Sequence, residues 1–250
     1  SKGIATDSLS MSVGELVSLY RADEIEIHPE FQRFFRWTNT QKSKLIESIL
    51  LGIPIPPIFV AQRTDGKWEL VDGLQRISTI LELMGELRAE DGTARPPLVL
   101  HSTTYLPGLA NRSWEGHGET TPLPSSAKLK LRRARLDFRI VLSTSDPQSK
   151  YELFQRLNTG GSLATDQEVR NCLIIMADRR VFEWIKDLSR DENFRNCIPL
   201  SERQLEEQFD MELLTRFIVL RRADLSQFRS KDDLGSFLTE NLLIAIGQGR

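Results

Sequence analysis

The chain has 250 residues, 40% of them hydrophobic and 27% charged, with a formal net charge of −2. That length buries a sizeable core in one large or two small domains, and the balance is ordinary for a globular protein. It excludes a global field that draws the molecule onto nucleic acid, so a DNA contact must come from a local patch.

No apolar run reaches the ~20 residues that span a bilayer, and no membrane association is expected. Two cysteines, Cys172 and Cys197, are too few for a disulfide framework and fit a reducing cytoplasm. Both lie in apolar helical contexts and read as small core residues. His28, His101 and His117 share no metal-ligand spacing, so no zinc site is expected.

Ser12 and Glu15 read as a capping box opening a short helix through Tyr20. Glu24 to Ile27 reads as a strand, stopped by His28-Pro29. Phe31 to Trp37 is a dense aromatic and arginine loop. A helix begins near Thr38 or Asn39, carries Leu45, Ile46, Ile49 and Leu50 at helical spacing, and ends at Gly52. Ile53-Pro54-Ile55-Pro56-Pro57 is a rigid extended connection. Ile58 to Ala61 and Trp68 to Val71 form a hairpin around Asp65-Gly66. Asp72-Gly73 leads into a helix with Ile77, Ile80, Leu81 and Met84 inward.

Residues 101–126 hold eight Ser or Thr, three Pro and three Gly. They read as a long surface insertion. Leu136, Phe138, Ile140 and Leu142 alternate as in a strand. A helix is expected from Asp146-Pro147 to Leu157, then a turn at Asn158-Thr159-Gly160-Gly161. Thr165 and Glu168 form a second capping box for a helix to about Met176. Further helices are expected over Val181 to Leu188, Leu205 to Leu220, and Asp232 to Leu243 with Ser230 as cap. The organisation is an α/β half, 1–145, followed by a helical half, 146–250. Ile244 and Ile246 near the end raise the expectation of a further domain.

Four constellations carry chemistry. At Asp72 to Arg76 a strand ends, a glycine lets backbone approach a ligand, and a helix begins. The first-turn amides and the helix dipole favour an anion there, within reach of Arg76. Asp72 could hold a metal ion, a ribose hydroxyl or an arginine. The same residues also fit an Asp N-cap with Arg76 in a surface ion pair. Gln32, Arg33 and Arg36 form a donor cluster suited to phosphates or a base edge, amid aromatics that serve as stacking faces or core anchors. Asn158, Gly160 and Gly161 fit either an anion nest or a helix C-cap. Lys128, Lys130, Arg132, Arg133 and Arg135 form a basic cluster, a DNA-backbone contact or a solvated helix face.

The order of Phe-Gln-Arg-x-x-Arg-Trp, Asp-Gly-x-Gln-Arg and Phe-x-Arg-Leu-Asn-Thr-Gly-Gly resembles the N-terminal domain family of GmrSD-type restriction endonucleases. Gln167-Glu168-Val169-Arg170-Asn171 and Asp210-Met211-Glu212-Leu213 add to the likeness. The resemblance implies an α+β fold, with a small ParB/sulfiredoxin-like α/β core followed by a helical extension. It implies a nucleoside triphosphate site, for ATP, GTP or CTP, with Mg²⁺ on Asp72. It also implies a role in DNA-directed defence against phage, such as type IV restriction, beside a nuclease domain or subunit. Carried over, Gln32, Arg33 and Gly73 contact the nucleotide, and Asn158, Thr159 and Gly160 close the site from the helical half. Asp72, Gln75 and Arg76 are then the catalytic residues of an NTPase, and Lys128, Lys130, Arg132 and Arg133 the DNA contacts. One position departs from the family's Asp-Gly-Gln-Gln-Arg signature: Leu74 stands at its first Gln. A DNA-modification reader and a non-catalytic, nuclease-binding subunit are the rival readings; a nuclease centre within the chain is not expected.

Overall fold

The computed structural model describes residues 5–27, 37–89, 92–145, 166–222 and 233–248. The architecture is α+β, and the chain divides into two compact units, Ser1–Leu153 and Phe154–Arg250.

The first unit runs β1 (Thr6–Ser12), α1 (Val13–Arg21), β2 (Ile25–Glu26), α2 (Asn39–Leu51), β3 (Ile58–Gln62), β4 (Trp68–Asp72) and α3 (Leu74–Leu83). A short pair, β5 (Arg112–Ser113) and β6 (Thr121–Pro122), precedes α4 (Ser125–Arg133) and β7 (Arg135–Val141). The main sheet has the order β1-β7-β3-β4-β2. β7 lies antiparallel to β1 and parallel to β3, while β4 is antiparallel to β3 and parallel to β2. The period-2 pattern of β7 sets its faces: Leu136, Phe138 and Ile140 are buried, and Arg135, Asp137 and Arg139 are exposed. Ile58, Val60 and Leu70 extend the buried face, and Leu16, Ile46, Ile77 and Leu81 of α1, α2 and α3 cover it.

Local chemistry sets the ends of these elements. Ser12 Oγ accepts from the Glu15 N–H at the start of α1. Thr38 and Gln41 form a reciprocal capping box on α2, and Gly52 closes that helix at φ 74°. Asp65 Oδ1 accepts from the Lys67 N–H in the expected β3–β4 turn.

Residues 101–126 are more than a surface insertion. Leu109, Trp114 and Leu123 are buried in the main core, each at most 5% exposed. The segment is fastened to a polar stripe on α2. Ser43 Oγ accepts from the His101 N–H at 2.8 Å, and Glu47 Oε1 accepts from the Tyr105 and Leu106 N–H groups at 2.7 and 2.8 Å. A composition count misses this, because few apolar side chains are needed where a buried carboxylate captures backbone donors. Lys42 and Glu82 form a nearly buried ion pair, 2.7 Å long, that joins α2 to α3.

The second unit contains α5 (Asp166–Ala177), α6 (Arg179–Ser189), α7 (Glu192–Cys197), α8 (Glu202–Glu206), α9 (Phe209–Arg222) and α10 (Leu234–Gln248). The helix expected from Leu205 to Leu220 is two helices. Gln208 breaks it at φ 59°, and its buried side-chain oxygen accepts from Asn171 Nδ2. That tertiary bond overrides a locally helical pattern. Asn171 Oδ1 also accepts from Gln167 Nε2 at 2.7 Å. Arg170, 1% exposed, donates to Gln167 Oε1, to Thr239 Oγ1 at 3.1 Å and to the Gly235 carbonyl at 3.2 Å. One polar network thus ties α5 to α10 and to the α8–α9 break. The last helix starts at Leu234, where Asp233 Oδ2 accepts from the Ser236 N–H, and runs on to Gln248. Cys197 is exposed, contrary to its reading as a core residue. The helix expected over 146–157 and the caps Thr165 and Ser230 lie outside the described residues.

The Thr103 hydroxyl, with the Tyr105 and Leu106 N–H groups, holds the Glu47 carboxyl below the usual carboxylate range. A depressed folded value stabilises above the unfolded value and loses that effect as pH falls through the folded one. Glu47→Gln is therefore expected to lower the thermal midpoint at neutral pH. The gap from wild type should close only as pH falls below the ordinary glutamate value of about 4.3, which melting curves into the acid range will show.

Candidate functional site

The turn between β4 and α3 is built around Gly73, the N-cap of α3, at φ 101° and ψ 13°. A Cβ there would lie 3.0 and 3.2 Å from the Ile58 Cγ1 and Cγ2 atoms. Both the backbone conformation and the buried Ile58 side chain therefore demand glycine. Among the described residues no side chain caps α3. A glycine N-cap leaves the first-turn N–H groups of this ten-residue helix without the side-chain acceptor that usually takes one of them.

Asp72 does not cap the helix. Its Oδ2 accepts from Arg76 Nη2 at 2.6 Å, one helical turn on. Arg76 Nη1 donates to the Pro56 carbonyl and, at 3.1 Å, to the Pro57 carbonyl. The Arg76 side chain is 13% exposed and that of Asp72 33%, so this is a partly buried clasp and not a loose surface pair. Of the alternatives open for Asp72, holding an arginine is the one observed. The guanidinium does not stand free: Nη1 and one side of Nη2 are engaged in the fold, while Nε has no acceptor among the described residues.

Gln75 extends the turn in another direction. Its Oε1 accepts from the Trp37 N–H at 3.1 Å. The aromatic and arginine segment, 31–36, therefore joins the described chain at a residue fastened to the first turn of α3. Leu74 is half-buried and packs against the hydrophobic core.

The GmrSD restriction endonuclease N-terminal domain family matches residues 13–175, more than half of the chain. The chain belongs to that family. No curated protein and no solved structure matches it. The match makes the chain a restriction-system module, and Asp72 to Arg76 falls inside the matched span. Leu74 also lies inside the matched span and turns its apolar side chain inward.

Among the described residues no group of three His, Cys, Asp or Glu side chains could hold a metal ion. A protein-built cage is therefore absent from that set. A Mg²⁺ ion shared with phosphates needs only one or two carboxylates, and Asp72 Oδ1 meets that need, having no protein donor among the described residues. Gln32, Arg33, Asn158, Thr159 and Gly160 lie outside the described residues.

The basic cluster is not one patch. On α4, Lys128 pairs with Glu115 at 2.8 Å, and the Lys128 ammonium and Arg132 guanidinium both sit 5.6 Å from the Trp114 ring centre. Lys130 and Arg133 belong to another side of the helix and line a cleft beside Ile53. Arg135 donates to the Ser10 carbonyl at 2.6 Å. The four cations assigned to DNA thus divide between two surfaces, because 128/132 and 130/133 fall on different helical stripes. The acceptors at Pro56 and Pro57, the Trp37 amide and the Trp114 ring escaped the sequence reading. Only the i, i+4 spacing of Asp72 and Arg76 signalled the clasp.

No helix among the described residues is long and apolar enough to cross a membrane.

Gly73→Ala is expected to cost about 2 kcal/mol, from the left-handed backbone and the forced shift of Ile58. Urea unfolding of the variant measures it.

Proposed function

We propose that this chain is the nucleoside triphosphate-responsive module of a DNA-directed restriction system, with the phosphates at the Asp72–Arg76 turn. The observation that carries the reading is the uncapped N-terminus of α3, entered through a glycine that no other residue can replace without strain. Preset backbone donors of this kind recognise phosphate with no side-chain reorganisation. ATP, GTP and CTP are the candidate ligands.

In this reading Asp72 holds Arg76 in place, and the unengaged Nε edge of the guanidinium adds charge beside the helix terminus. Gln75 fixes the end of the segment that carries Gln32 and Arg33, which the family resemblance assigns to the nucleotide. Mg²⁺ bound with the phosphates would be held by Asp72 and would neutralise their charge. Leu74 offers no group to orient water, so binding is the primary activity and hydrolysis is slow. DNA and a nuclease domain or subunit are the partners of the response.

Thermal melts with each triphosphate and Mg²⁺ test the site. A ligand at ~100 times its Kd adds about 2.7 kcal/mol to the folded state, a rise of several degrees. Arg76→Ala and Asp72→Ala should abolish the rise. If no triphosphate moves the wild-type midpoint, or if both variants, still folded, respond as wild type does, the assignment is wrong.

Turnover is checked separately by phosphate release. Leu74→Gln should raise the rate about tenfold or more while leaving the Kd within about twofold, since one positioned polar group commonly contributes that much to a transition state. An unchanged rate in a variant that still binds would remove Leu74 as the cause of slow hydrolysis.

A further inference from the structure

The end of α2 and the connection after it face α4 and the start of β7 across a cleft of about 640 Å³. Ile53, Pro54 and Ile55 form one wall, and Leu129, Lys130 and Arg133 the other. The volume lies within the range of sites that bury several ligand groups. Ile53 is 47% exposed and Leu129 48% exposed, an unusual pair of large apolar side chains facing one opening.

The charges around the opening are uneven. Lys130, Arg133 and Arg135 line it, against one carboxylate, Asp137. Lys130 and Arg133 have no carboxylate partner among the described residues, whereas Lys128 on the other stripe of α4 has Glu115. Aliphatic walls with uncompensated cations at the edge complement a chain that presents apolar side chains flanked by carboxylates. Nucleic acid matches less well. No aromatic side chain lines the cleft to stack a base, and branched aliphatic walls offer base edges no hydrogen bonds.

We infer that this cleft docks an acidic segment of a partner protein, seated by two or three apolar anchors between Ile53–Ile55 and Leu129 and held by Lys130 and Arg133. Apolar anchors in a groove with a charged rim are a recurrent way of taking up a short segment. The wall is stiff before the partner arrives: Pro54 restricts it, and the adjoining Pro56 and Pro57 carbonyls are held by Arg76. Pre-set walls lower the ordering cost of association.

The test is selection of a displayed library of short random peptides on the intact chain, followed by anisotropy with the selected peptides. The expected consensus has Asp or Glu flanking two or three of Leu, Ile and Phe. Binding should fall on the order of tenfold or more in Lys130→Glu/Arg133→Glu, and weaken as salt rises, as expected when rim charges contribute. Ile53→Asp should abolish it. All these positions are solvent-facing, and a melting curve confirms that each variant folds. Failure to select any consensus, a consensus without carboxylates, or peptides that bind the variants as well as wild type would overturn the inference. So would a mixed-sequence DNA duplex that binds at Lys130 and Arg133 more tightly than every selected peptide.

Discussion

The Arg76 guanidinium is the point at which three parts of the first unit meet. It takes the Asp72 carboxylate at the end of β4 and the Pro56 and Pro57 carbonyls of the connection into β3, while its own backbone forms the first turn of α3. A proline has no N–H and so cannot pair its residue into a ladder as donor. The Pro56 and Pro57 carbonyls remain acceptors, and a planar fork with several N–H groups reaches both from one side chain. The sheet, the helix start and the rigid connection are thereby fixed with respect to each other. Gly73 completes the arrangement by letting the chain pass within contact of Ile58.

The same device recurs elsewhere with other groups. Glu47 captures two backbone N–H groups of the 101–126 segment, and Arg170 binds a carbonyl, a hydroxyl and an amide oxygen inside the helical unit. In each case a buried charge meets mostly neutral polar partners and not an opposing charge alone. Such a group is costly to remove, because its partners are left buried without hydrogen bonds. These three side chains tie together segments that lie far apart in the sequence.

This explains where the sequence was readable. β7 could be read from Leu136, Phe138 and Ile140, because a half-buried strand must alternate. The β3–β4 hairpin followed from Asp65-Gly66, and the limits of α2 from Thr38 and Gly52, since these are local requirements of backbone geometry. The role of residues 101–126, the break at Gln208 and the exposure of Cys197 depend on partners distant in sequence, which leave no periodic signal. At the candidate site, the glycine and the helix start were legible from order alone. The division of Lys128 and Arg132 from Lys130 and Arg133 was not, because it depends on where Trp114 and Ile53 lie around α4.

The clasp also governs how the chain can change its sequence. Asp72 and Arg76 form one unit of substitution: losing the carboxylate leaves a partly buried guanidinium short of a partner, and losing the guanidinium strands a carboxylate and two proline carbonyls together. Lysine is no substitute, since one ammonium cannot span acceptors on two sides. The fold thus retains Asp72, Gly73 and Arg76 for its own integrity, whatever occupies the turn. Leu74, between them, takes no part in these hydrogen bonds and is held by packing against the core instead.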